Sequence, residues 1–275
     1  MNRLRSYFLA PAVFFLVLLF VTPLGIILGY SLLSRGAYGG VELPVTVENY
    51  LRLFDPLYAL ILIRSVAYAA IATLVCLLLG FPLALFIARS QKHKTLFLAL
   101  VVIPFWTSFL VRTYAWMFLL RDTGLINFTL QRLGILSEPL PLLYNAFAVV
   151  LGLVYGYLPF MVLPIYAALE KLDRAVLEAA ADLGARPFEA LWRVTLPLSM
   201  PGIRAGTVLV FISCLGSYLT PDLLGGGKTI MIGTLIQNQF TSARNWPFGS
   251  ALSLVLMAIV MLMVLSALRR QEDRL

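Results

Sequence analysis

Long apolar runs separated by short polar ones make up almost the whole chain. A helix needs about 20 apolar residues to cross a hydrocarbon core. Six runs reach that length: Tyr7–Leu33, Leu57–Ala88, Leu96–Leu120, Tyr144–Leu169, Pro201–Leu224 and Phe248–Leu268. The pattern predicts an all-α integral membrane protein with six transmembrane helices, organised as one domain over 1–275. Arg64 lies inside the second run, so its membrane part should begin after that residue. Pro23, Pro82, Pro104, Pro159 and Pro164 lie within or beside the runs; neighbouring groups satisfy the carbonyls they free, and kinks suffice to explain them.

One polar stretch interrupts the rhythm, between the fourth and fifth runs, over residues 172–197. Asp173 suits the N-cap of a short helix running to Leu183. Gly184 supplies the left-handed residue that ends it. Pro187 suits the first turn of a second helix, on which Phe188, Leu191 and Trp192 fall on one apolar face. Ala179 and Ala180 are small enough for another backbone to approach. The expected result is a rigid helical hairpin held between two spans.

Composition supports the membrane reading. The chain has 275 residues, 61% hydrophobic and 12% charged, against about a quarter charged in soluble domains. The net charge of +8 comes without a long basic run, so it implies cytoplasmic loops rather than nucleic acid. With six spans, the side holding both termini carries twelve Lys and Arg, the other six. The first set includes Arg3, Arg5, Arg174, Arg269, Arg270 and Arg274, and its clearest part is the loop Arg89–Lys94, which has no acid. Both termini and the polar hairpin are therefore expected in the cytoplasm. The first run follows Arg3 and Arg5 as a signal peptide would, but its length predicts a retained helix. Cys76 and Cys214 sit in apolar runs, and two thiols with the single His93 make neither a disulfide framework nor a usual zinc site. The external segments Asp122–Ile135 and Thr229–Phe240 are apolar enough to lie on the membrane surface or dip back toward the helices.

The hairpin also carries a spacing. Glu178-Ala179-Ala180, three residues, Gly184, nine residues, Val194, one residue, Leu196-Pro197 resembles the cytoplasmic signature of permease subunits of bacterial ABC importers, with Val194 where Ile is commoner. The resemblance implies a six-helix permease of the MetI-like type, with a coupling helix between spans 4 and 5. Glu178, Ala179, Ala180, Gly184, Val194, Leu196 and Pro197 would dock on an ATPase subunit. It further implies a dimer of ATP-binding subunits, a second homologous permease and an external substrate-binding protein. Such a chain needs no cofactor of its own, since ATP and magnesium belong to the ATPase subunits, and it resides in the bacterial inner membrane. The stretches 103–116, 124–127, 152–166 and 245–248 are similar to permeases of spermidine/putrescine importers.

A polyamine needs carboxylates for its ammonium groups and aromatic faces for its stem. Asp222 and Tyr218, at the outer end of the fifth run, are the leading pathway candidates, followed by Trp106, Tyr114 and Trp116. Interfacial anchoring explains the aromatics equally well, and Asp222 could serve the glycine turn that follows it. Arg112 would repel a polycation, so it is expected to face a partner helix or carbonyls. Gly225-Gly-Gly-Lys-Thr229 imitates the end of a phosphate-binding loop, but the first glycine of that pattern is missing, because Asp222 stands there, and the strand context is absent. Other cargoes within the importer class stay open: an amino-acid derivative, another organic cation or ferric iron. A stand-alone secondary transporter or a membrane-embedded enzyme fits less well, for want of internal repeats, intramembrane acids and a convergent His/Asp/Glu/Cys set.

Overall fold

The computed structural model describes residues 2–90 and 92–272. Arg274 and the side chains of Arg3, Arg5, Arg174, Arg269 and Arg270, part of the loop-charge argument, lie outside the described residues. The contacts divide the chain into two compact units, residues 1–60 with 235–275, and residues 61–234. In chain order the elements are α1 (Asn2–Ser31), β1 (Leu33–Arg35), β2 (Val41–Val45), α2 (Glu48–Leu51), α3 (Pro56–Arg89), α4 (Lys94–Val102), α5 (Phe109–Leu120), α6 (Leu125–Arg132), α7 (Ala146–Glu170), α8 (Arg174–Asp182), α9 (Pro187–Ala190), α10 (Leu196–Leu215), α11 (Leu219–Gly225), α12 (Ile232–Phe240) and α13 (Trp246–Glu272).

Among the described residues, five helices are long and apolar enough to cross a membrane, or six if one bent pair counts as a single span. That pair corrects the expected third span, Leu96–Leu120. Lys94–Trp106 and Phe109–Arg132 meet at 90°, because α4 gives way to a 3₁₀ turn over Ile103–Trp106 with Pro104 in its first turn. Thr107 and Ser108 then run extended, and the Thr107 hydroxyl donates to the Pro104 carbonyl at 2.7 Å. The fifth span is corrected as well. The continuous apolar helix is Pro187–Leu215 rather than Pro201–Leu224. It stops at Leu215 and α11 starts afresh at Leu219. Pro82, Pro159 and Pro164, by contrast, leave their helices unbroken.

In the unit 1–60 with 235–275, α1 packs along α13, with Tyr30 and Trp246 rings 6.1 Å apart. The β1–β2 hairpin was not foreseen. Its turn carries Gly39 and Gly40 at positive φ, a conformation that favours glycine. Buried Asn49 donates from Nδ2 to the Ser31 and Leu33 carbonyls at 3.0 and 2.9 Å, which pins α2 to the α1–β1 junction.

In the unit 61–234, α7 lies along α10, and α11 packs on α7 and α5. Small residues make the close approaches. Gly206 faces the Met161 backbone, Gly80 faces the Met161 side chain, and Gly152 faces Thr220 and Leu224 of α11. On α3 the buried stripe Ser65, Ala69, Ala72, Cys76, Gly80, Ala84 and Ile87 is mostly small, whereas Leu74, Leu78, Leu79 and Phe86 are exposed. Small inside and large outside is the sense of a membrane helix, where tight van der Waals packing replaces the hydrophobic effect between helices.

Candidate functional site

The hairpin that joins α7 to α10 is built largely from local chemistry. Asp173 accepts a hydrogen bond from the Ala175 N–H at 3.0 Å and so caps α8. Gly184 adopts φ +83. Its N–H bonds the Ala181 carbonyl at 2.9 Å, and the Ala185 N–H bonds the Ala180 carbonyl at 3.0 Å. Together these form a Schellman stop, which satisfies carbonyls that the helix end would leave open. Pro187 opens α9, where the Glu189 carboxylate accepts from the Arg186 N–H at 3.3 Å. Phe188 and Trp192 meet edge to face at 6.1 Å. From Pro187 the chain runs through a π turn at Leu191–Thr195 into α10 without a break.

Glu178, Ala179 and Gly184 are exposed, and Ala180 is half-buried. Leu183, Phe188 and Trp192 are 89%, 70% and 56% exposed, a run of uncovered apolar side chains on an otherwise polar element. Val194 and Leu196 are half-buried, and Pro197 is exposed. Two grooves flank the α7–α8 junction. One, of about 510 Å³, is mostly apolar and lies between Pro164–Ala168 of α7, Val176 of α8 and Leu198–Ala205 of α10. The other, of about 440 Å³, is more polar and is lined by Arg89, Lys94, Glu170, Leu177, Glu178 and Thr195 among others. Successive residues Val176 and Leu177 thus face different grooves. Lys94 and Glu170 form an ion pair beside the second groove, with the Lys94 ammonium 5.3 Å from the centre of the Tyr166 ring. Sequence reasoning missed this tie between α4 and α7. The basic loop before α4 and the acid ending α7 were its only signals.

The five pathway candidates lie on the 3₁₀ turn, on α5 and at the start of α11. Tyr218 and Asp222 sit one turn apart at the start of α11, where the Tyr218 carbonyl accepts from the Asp222 N–H at 3.0 Å and from the Thr234 hydroxyl at 3.2 Å. Both side chains are exposed, and a carboxylate in the first turn of a helix is favourably placed whatever else it does. Trp106 lies in the 3₁₀ turn, 84% exposed, and Tyr114 on α5 is 41% exposed. Half-buried Trp116 stacks edge to face on Tyr155 at 5.5 Å. It lines a cavity of about 10 Å³ with Arg112, Thr113 and Gly152, and none of the other four candidates lines it. Arg112 meets aromatic faces rather than carbonyls. Its guanidinium lies 4.3 Å from the Phe105 ring centre and 5.6 Å from that of Phe109, and its Nε and Nη1 have no acceptor among the described residues. Cation–π contact compensates part of that burial. The glycine tract forms a turn, with Gly226 and Gly227 at positive φ and the Lys228 N–H bonded to the Gly225 carbonyl at 3.1 Å.

Comparison with known proteins adds a second line of evidence. Residues 77–274 match the family described as binding-protein-dependent transport system inner membrane component. The chain is 43% identical over 264 residues to the spermidine/putrescine transport system permease protein PotB of Haemophilus influenzae, a match covering 96% of this chain and 92% of that protein. A chain of a bacterial alginate ABC transporter, crystallised with an alginate-bound periplasmic protein, superposes with a TM-score of 0.79 at 17% identity, covering 97% of this chain and 93% of that one. A chain of the MetNI methionine ABC transporter superposes with a TM-score of 0.55 at 20% identity, covering 80% and 99%. At those identities the two structures speak to fold alone.

Proposed function

We propose, from the fact that this chain belongs to the binding-protein-dependent transport inner membrane components, that it is one permease subunit of an ATP-driven importer of spermidine and putrescine. The observation that carries the cargo is the 43% identity to a spermidine/putrescine permease over 96% of the chain. In this reading the chain crosses the inner membrane six times, the bent pair of α4 and α5 counting as one span. Both termini and the 172–197 hairpin face the cytoplasm. Glu178, Ala179, Ala180, Gly184, Val194, Leu196 and Pro197 form or support a coupling element that docks on an ATPase subunit. Leu183, Phe188 and Trp192 support this, because large apolar side chains exposed together mark a surface that another protein covers.

A complete importer would pair this chain with a second, homologous permease, a dimer of ATP-binding subunits that hold ATP and magnesium, and a periplasmic binding protein that delivers the polyamine. Closure of the ATPase dimer would push the hairpins and open the cavity outward, and hydrolysis would reset it. Asp222 and Tyr218, with Trp106, Tyr114 and Trp116, are the pathway candidates. Asp222 offers the negative charge that a polyamine ammonium requires. The test is spermidine uptake by proteoliposomes containing the assembled transporter and its binding protein. Uptake that needs ATP on the hairpin side and is competed by putrescine supports the reading. Uptake that persists without ATP would favour a secondary transporter, and indifference to polyamines would reassign the cargo.

A further inference from the structure

The Leu196-Pro197 end of the motif is explained neither by docking nor by span length. Pro197 is in the first turn of α10 and has no N–H. In an unbroken α-helix that N–H would bond the Arg193 carbonyl four residues back, and the proline ring collides with the same carbonyl. The turn widens at this place. Leu191–Thr195 is a π turn, in which the Leu196 N–H bonds the Leu191 carbonyl five residues back. The Thr195 hydroxyl repeats that spacing by donating to the Ala190 carbonyl at 3.3 Å, and Thr195 is 2% exposed. A π turn is in effect an α-helix with one residue inserted. Absorbing that extra residue into a regular α-helix, with none deleted, would rotate everything before it by about 100° and shift it by about 1.5 Å relative to everything after it.

We propose that Thr195 and Pro197 are positioning residues for energy coupling: they hold a π turn that sets the rotational register between the 173–190 hairpin and α10. The proposal rests on the coupling reading above. Pro197 denies the turn its α-helical bond, and the buried Thr195 hydroxyl caps the carbonyl that the wide turn displaces. Through that register α10 determines where Glu178, Ala180 and Phe188 point when an ATPase subunit closes on them. Neither residue needs to touch that subunit.

The experiment uses the assembled transporter in proteoliposomes, reading polyamine transported per ATP hydrolysed. A companion distance is read between spin labels at Phe188→Cys and Met200→Cys in the full chain. Both positions are exposed, and the native Cys76 and Cys214 are buried. Pro197→Ala restores the N–H; the label distance shifts and transport per ATP falls about fivefold or more. Deleting Arg193, whose side chain is 80% exposed, in the Pro197→Ala background removes the inserted residue. The resulting straight helix keeps the native register, so distance and coupling both return. Native distance or native coupling in Pro197→Ala overturns the proposal, and so does a double variant as inactive as the single, folded or not. Ala180→Glu in the same preparation separates the two readings. Normal transport there sinks the docking reading itself, whereas uncoupling there alongside a normal Pro197→Ala sinks only the register.

Discussion

A methyl group placed on Gly202 would sit 2.4 Å from the Pro164 carbonyl oxygen and 2.7 Å from the Ala168 Cβ. The neighbours are backbone and a short side chain, so neither can swing away. Gly202→Ala should therefore force α7 and α10 apart and lower stability by about 1–3 kcal/mol, the usual cost of overpacking. Gly25→Ala, where a methyl meets nothing within 4 Å, should change it by less than about 1 kcal/mol. Thermal unfolding in detergent compares the two directly.

Ser65 should matter through a backbone group rather than through its own polarity. Its hydroxyl donates to the Ile61 carbonyl at 2.7 Å and accepts the Ile232 N–H at 2.7 Å. That N–H belongs to the first turn of α12, where no intrahelical acceptor exists. Ser65→Ala leaves it buried and unpaired, a loss of about 1–3 kcal/mol. Hydrogen exchange at the Ile232 amide should accelerate in step with that loss.

Asn127 holds the segment after α6. It is fully buried, donates from Nδ2 to the Arg121 and Leu140 carbonyls at 3.2 and 2.9 Å, and accepts the Leu140 N–H at 2.9 Å. Asn127→Ala should free residues 133–143 and make them susceptible to protease added on that side of the membrane. Asn127→Asp sets a carboxylate oxygen against both carbonyls in a buried site, so it should free the segment at least as much as the alanine variant.

Asp222 is the pathway residue whose charge can be tested without a change of size. Asp222→Asn should raise the KM for spermidine, the cargo with more positive charge, more than that for putrescine, while sparing assembly. Unchanged uptake kinetics for both would remove Asp222 from the pathway and leave it a role at the start of α11. Trp106→Ala provides a comparison at an 84% exposed aromatic.

The parts of this molecule that were legible in sequence are those fixed by neighbours in the chain. Asp173, Gly184 and Pro187 act within four residues of themselves, and each does what its chemistry requires. Apolar length located the long helices α1, α3, α7 and α13, because the solvent imposes it, but not the break in the third run or the ends of the fifth. Proline exposes the limit. Pro159 and Pro164 sit inside an unbroken α7, yet Pro104 lies at a 90° break. The residue type is the same, and what differs is whether packed neighbours hold the helix together or a hydroxyl such as that of Thr107 stabilises the extended turn. The same reason hid the π turn before Pro197. The surroundings of Trp106, Tyr114, Trp116, Tyr218 and Asp222 were equally invisible, since residue type suggests a role while only packing sets where each side chain lies.

The 172–197 hairpin is proposed to transmit closure of an ATPase dimer to this chain. Ala180→Glu puts a charge on the half-buried face of α8 without altering its caps. The decisive measurement is ATP-driven spermidine uptake by the reconstituted Ala180→Glu transporter, with membrane insertion and thermal stability confirmed in the same preparation. A stable, correctly inserted subunit with uptake at background is expected. Uptake at the wild-type rate from that preparation would contradict the proposal.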